Sequence, residues 1–118
     1  MKRRLLDCEE FTAGDGTQLR EILHPDKGVL SVGYSLAHAK LAPGLTSLLH
    51  RLRTSEVYYI LAGRGRMELD GKLSEVGPGD TIYIAPSLTQ RITSLGPGDL
   101  EFLCIVDPAW RAEDEEVM

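Results

Sequence analysis

His50, Glu56, Tyr58 and Gln90 are the side chains of this sequence whose types and spacing could do chemistry. In an extended chain, residues two apart share a face, so His50 points with Leu52, Glu56 with Tyr58 and Ile60, and Gln90 with Ile92. If the strands that carry them enclose an interior, its wall holds an imidazole, a carboxylate and a phenol. His50 then serves as general acid or base, and Glu56 as its partner or as a base whose pKa burial raises. Such a site suits proton transfer next to a carbonyl, as in sugar isomerisation or epimerisation, or elimination from a small acid. Ionisable groups held away from water carry a desolvation cost, which makes such clusters candidates for function. A plainer reading has His50 hydrogen-bonded to Glu56, each satisfying the other with no ligand present.

Short strands are the elements that must position these groups. Turn signals recur along the chain at Gly14-Asp15-Gly16, Pro25-Asp26-Lys27-Gly28, Pro43-Gly44, Gly63-Arg64-Gly65, Asp70-Gly71, Gly77-Pro78-Gly79-Asp80 and Gly96-Pro97-Gly98-Asp99, leaving almost no window for a long helix. Between them, Val57–Leu61 and Thr81–Ile84 are rich in β-branched and aromatic residues. Asp70-Gly71 is a hairpin signal joining Arg66–Leu69 to Lys72–Val76. Phe102-Leu103-Cys104-Ile105-Val106 is apolar throughout, as expected of a strand buried on both faces. In Ser31–Leu41, Tyr34, Leu36, His38 and Lys40 take one parity and the small residues the other; a small-residue face lining the interior puts His38 outside. His24, next to Pro25, reads as a turn residue. In the tail, 108–118, the stretch 108–116 reads as a short helix with Pro108 near its start and acids in its first turns, and Trp110 is the group that docks it on the barrel or on a second subunit.

Gly44, His50, Leu52, Glu56 and Gly63 together resemble the first motif of the cupins, G-x5-H-x-H-x3-4-E-x6-G, with Leu52 at the second His. Gly79 to Ser94 resembles the second motif, G-x5-P-x-G-x2-H-x3-N, with the proline one place late at Pro86, Ser87 for the inner Gly, Gln90 for the His and Ser94 for the Asn. The resemblance implies an all-β fold, a double-stranded β-helix (jelly-roll) barrel, here one domain over 1–118 with its motifs at about 44–63 and 79–94 and the short helical tail at 108–118. It implies a small polar ligand in the barrel, sugar-like or a hydroxy or carboxylic acid. His50, Glu56 and Tyr58 are then the candidate catalytic residues, and Gln90, Tyr58 and His38 the candidate ligand-binding ones.

In metal-binding cupins three His and one Glu hold a divalent ion. Carried over, this implies a metal set of His50, Glu56 and Gln90 for Zn, Mn, Fe or Ni. Leu52 has no lone pair to give, and the amide oxygen of Gln90 is a weak, neutral donor suited to oxygen-preferring metals. His24, His38 or Tyr58 could supply a missing ligand. A metal-assisted isomerase, epimerase or lyase and a metal-free binding or sensor module both remain open, because one fold hosts many activities. Pairing of cupins through edge strands makes a homodimer the expected assembly.

The 118 residues, 42% hydrophobic and 26% charged, fit one globular domain. Thirteen basic against 18 acidic residues give a net charge of −5, which lacks the basic footprint of a nucleic-acid binder. No apolar run approaches the ~20 residues that span a bilayer. Cys8 and Cys104 match no metal or redox spacing and read as free thiols, Cys104 buried. A cytoplasmic location without a membrane or nucleic-acid partner is the resulting expectation.

Overall fold

The computed structural model describes residues 1–28 and 30–118. Among the described residues eleven strands follow in chain order: β1 (Glu10–Thr12), β2 (Gln18–Leu23), β3 (Ser35–Leu41), β4 (His50–Leu52), β5 (Ser55–Ala62), β6 (Gly65–Leu69), β7 (Lys72–Val76), β8 (Thr81–Ile84), β9 (Gln90–Ser94), β10 (Leu100–Asp107) and β11 (Glu115–Val117). They form two antiparallel sheets, one in the order β1-β2-β3-β10-β5-β8 and the other β11-β4-β9-β6-β7. This is the all-β jelly-roll barrel that the motifs imply.

The hairpin between β6 and β7 turns at Asp70 and Gly71, whose φ values of 50° and 83° are both positive, as a two-residue type I′ turn requires. At Gly63, with φ 82°, a Cβ would run into the backbone of Asp99, so this position takes only glycine for steric as well as conformational reasons.

Inward-facing residues of both sheets meet in one apolar cluster. Ile60, Met67, Ile92, Leu100 and Phe102 are fully buried there, each contributing roughly 1.5–3 kcal/mol of transfer free energy. The long run in β10 differs from the strand expected to be buried on both faces. Phe102, Cys104 and Val106 point inward, whereas Leu103 is half-buried and Ile105 is exposed, because only the inner face of this sheet has a partner layer.

The C-terminal tail also departs from the expected helix. Only Ala112–Asp114 make a one-turn 3-10 helix, after which Glu115–Val117 pair with β4 through Leu52, Arg51 and His50. An edge strand with unpaired backbone groups outcompetes a short isolated helix for this segment. The tail is strapped down before it pairs. Trp110 N–H donates to Ser35 Oγ (2.9 Å), and Trp110 O accepts from His24 Nε2 (2.8 Å). The other ring nitrogen of His24, Nδ1, accepts from the Asp26 N–H, so this buried turn histidine is satisfied on both sides. Among the described residues no helix is long and apolar enough to cross a membrane.

Candidate functional site

The chain passes from one sheet to the other through Arg53-Thr54, between β4 and β5. His50 and Leu52 therefore face inward from the five-stranded sheet, and Glu56 and Tyr58 face inward from the six-stranded one. Gln90, on β9, lies beside His50 in register and reaches across to the opposite sheet. Its Nε2 donates to Glu56 Oε1 at 2.9 Å, while Tyr58 Oη donates to its Oε1 at 3.0 Å. All three side chains are buried, and Gln90 is fully so.

A cavity of about 110 Å³ lies beside this chain of hydrogen bonds. Small residues make the space: Ala37 and Ala39 of β3 line it, where larger side chains would fill it. Phe11, Tyr58, Phe102 and Trp110 supply aromatic wall, and Asp15, Glu21, His50, Glu56, Cys104 and Glu115 supply ionisable groups. No Lys or Arg lines it among the described residues.

His50 is 2% exposed, and its Nδ1 lies 2.8 Å from Leu48 O. A carbonyl can only accept, so Nδ1 carries a proton and, in the neutral ring, Nε2 presents a lone pair. Nε2 is 3.8 Å from Asp15 Oδ2, beyond hydrogen-bonding distance. Asp15 is itself fixed through Oδ1, which accepts from Thr17 N–H (3.0 Å) and Oγ1–H (2.8 Å). His50 and Glu56 form no hydrogen bond to each other among those described; each has its own partner, which corrects the plainer pairing expected from the sequence.

Burial pushes the Glu56 carboxyl up to about 8, against a smaller lowering by the Gln90 hydrogen bond and further raising by Asp15 and Glu115. The group is thus a neutral acid at pH 7. Its proton belongs on Oε2, because Oε1 accepts from Gln90. Burial likewise pushes up the Tyr58 phenol and the Cys104 thiol, so neither is ionised near neutrality. Glu115, on β11, is raised by burial and by Asp15, with His50 and the Trp110 side chain acting in the other direction.

Of the residues expected at the site, His50, Glu56 and Tyr58 line the cavity. Gln90 stands behind the last two and holds them. His38 does not line it: Ala37 and Ala39 face the cavity, so strand alternation turns His38 to the opposite face, where Nε2 meets Glu101 Oε1 at 3.0 Å. His24 ties down the tail, as described, and is not a spare ligand for this site.

The residues present do not fit a centre of three His and one Glu. Leu52 occupies one position, Gln90 spends its amide oxygen on Tyr58 and its amide nitrogen on Glu56, and among the described residues His50 is the single imidazole lining the cavity. Among the described residues no group of three or more His, Cys, Asp or Glu is arranged to hold a metal ion.

Asp15 and Glu115 were not legible as site residues. Asp15 sits in a Gly-Asp-Gly turn, where aspartate is ordinary turn chemistry, and Glu115 sits in an acidic tail that reads as solvated. Trp110 carried a signal as the tail's docking group, but not toward the cavity.

A family model described as a cupin domain matches residues 37–106. An uncharacterized protein of Methanocaldococcus jannaschii is 46% identical over 111 residues, 92% of this chain and 86% of that one. A Thermotoga maritima protein named oxalate-binding protein is 35% identical over 71 residues, 59% of each chain. The crystal structure of a predicted oxalate decarboxylase from Thermotoga maritima superposes with a TM-score of 0.81 at 24% identity, covering 92% of this chain and 99% of that one. At that identity the likeness shows the fold alone.

Proposed function

The chain belongs to the cupin domain family, and from that premise we propose that it binds one small polar molecule in the barrel cavity without a metal centre of the three-His, one-Glu kind. The carrying observation is the Tyr58–Gln90–Glu56 chain, which uses the amide at a metal-ligand position as a structural bridge and leaves His50 Nε2 facing the cavity. The likeness to a protein named for oxalate binding supports a small ligand. The lining speaks against a dianion, since among the described residues no Lys or Arg lines the cavity to neutralise it and Asp15 and Glu115 stand nearby. A panel of small sugars, hydroxy acids, dicarboxylates and amines followed by ligand-observed NMR tests the reading. At least one should bind saturably, and His50→Ala should weaken it at least tenfold. No saturable binding by any class would end the proposal.

An acid–base isomerase or epimerase is the second reading, favoured by a Glu56 carboxyl poised near neutral pH beside an imidazole. Exchange of a carbon-bound hydrogen next to a carbonyl in deuterium oxide, lost in Glu56→Gln, is its signature. Absence of exchange with every ligand that binds would leave a binding module.

A cytoplasmic homodimer belongs to the same proposal. The free thiols Cys8 and Cys104 suit a reducing compartment. Tyr59, Leu61, Tyr83 and Ile105 are exposed on the outer face of the six-stranded sheet, with Tyr83 on its edge strand β8. Sedimentation equilibrium showing monomer alone at tens of micromolar would overturn the dimer.

A further inference from the structure

Three features of the cavity lining point the same way. Both phenylalanines of the chain, its single tryptophan and Tyr58 line this one space. Acids line it without any Lys or Arg among the described residues. Glu21 is paired with Lys27 at 2.6 Å, whereas Asp15 and Glu115 have no Lys or Arg within ion-pair distance among those described. Glu115 Oε2 stands close over Gly14, next to Asp15, so the two carboxylates share one end of the cavity. The third feature is His50, whose Nδ1 is committed to Leu48 O, so that in the neutral ring Nε2 offers to the same space a lone pair with no hydrogen-bond partner among the described residues.

We infer that the cavity receives a small organic ammonium ion, with its N–H groups donating to His50 Nε2 and to the carboxylates of Asp15 and Glu115, and its carbons packed against Phe11, Phe102 and Trp110. This rests on the ligand-binding reading above and names the class of ligand. Acceptors with net negative charge at one end and aromatic faces on the wall are what an alkylammonium ion needs. The carboxylates supply charge, and the ring faces attract a desolvated cation. A neutral polyol would use the same acceptors but leave the carboxylates uncompensated in a confined space. A carboxylate ligand would add to their repulsion. A cavity of about 110 Å³ admits only a few heavy atoms. Phe11 and Trp110 are themselves partly exposed, which places the rim of the cavity at β1 and the tail.

Trp110, as the chain's single tryptophan, makes its own fluorescence a reporter of the cavity. Titration with n-propylammonium chloride at pH 7, against sodium chloride of equal ionic strength, should give a saturable change. 1-Propanol, propionate, glucose and oxalate should bind at least tenfold more weakly or not at all. Asp15→Asn should weaken n-propylammonium at least tenfold. Glu115→Gln, a near-isosteric change at a half-buried position, should weaken it severalfold with an unchanged circular dichroism spectrum. Saturable binding of glucose, propionate or oxalate without n-propylammonium would overturn the inference and leave the ligand-binding reading standing. Equal affinity in Glu115→Gln and the unaltered protein would also overturn it. No saturable response to any of these probes, by fluorescence or by NMR, would remove both.

Discussion

Gln90 donates from Nε2 to Glu56 Oε1 at 2.9 Å, joining the two sheets through a side chain that is fully buried. At the position where a metal-binding cupin keeps an imidazole, this chain thus has a hydrogen-bonding strut. The strut decides which oxygen of Glu56 is occupied and which is left for the cavity.

Stability should fall as pH rises through neutrality, by way of Glu56. Its carboxyl is raised from 4.5 to about 8 in the folded protein, so between these values the native state holds a proton that the unfolded chain has lost. The contribution is fully present below about pH 4.5 and is lost as pH rises to about 8. It amounts to roughly a few kcal/mol. Glu56→Gln keeps a similar shape and cannot ionise. Urea denaturation from pH 5 to 9 should show a shallower decline for this variant, and parallel curves would contradict the assignment.

Gln90→Leu should destabilise the protein by about 2–4 kcal/mol, because it leaves the Tyr58 hydroxyl and Glu56 Oε1 without partners in a buried place. Tyr58→Phe alone should cost about 1 kcal/mol. In a double-mutant cycle the two losses should be less than additive, since the Tyr58–Gln90 bond is shared between them. Strict additivity would show that the bond contributes nothing.

For metals, the expected behaviour is a melting temperature unmoved by chelator and no stoichiometric ion on purified protein. The Leu52→His, Gln90→His double variant restores the imidazoles of the family's ligand set beside His50 and Glu56, and it should take up zinc or nickel measurably by calorimetry. An ion at one equivalent on the unaltered protein would overturn this expectation.

Ser87 stands where the second cupin motif has glycine, and it holds φ at 69°. A non-glycine residue in this left-handed region is strained by about 1 kcal/mol, partly offset by the smaller entropy of the unfolded chain. Ser87→Gly should therefore raise stability by about 0.5 kcal/mol or leave it unchanged in thermal unfolding. A clear loss would mean that the Ser87 side chain stabilises the turn.

The jelly-roll barrel was legible through the motif resemblance, and the inward set of His50, Glu56 and Tyr58 through strand alternation. Strand periodicity and turn chemistry are local, so glycines such as Gly63 and the alternation in β5 are legible without knowing what packs where. Other features depended on which elements meet. The apolar run of β10 has one wet face because a layer covers only the other, and the tail becomes strand β11 because β4 has a free edge. Asp15 and Glu115 reach the cavity only once a turn near the N-terminus and the last strand close around His50. Residues 15, 50 and 115 are far apart along the chain. The acidity of Asp15 and Glu115 reads from sequence as a solvated surface, and only the tertiary structure turns it into charge lining the barrel cavity.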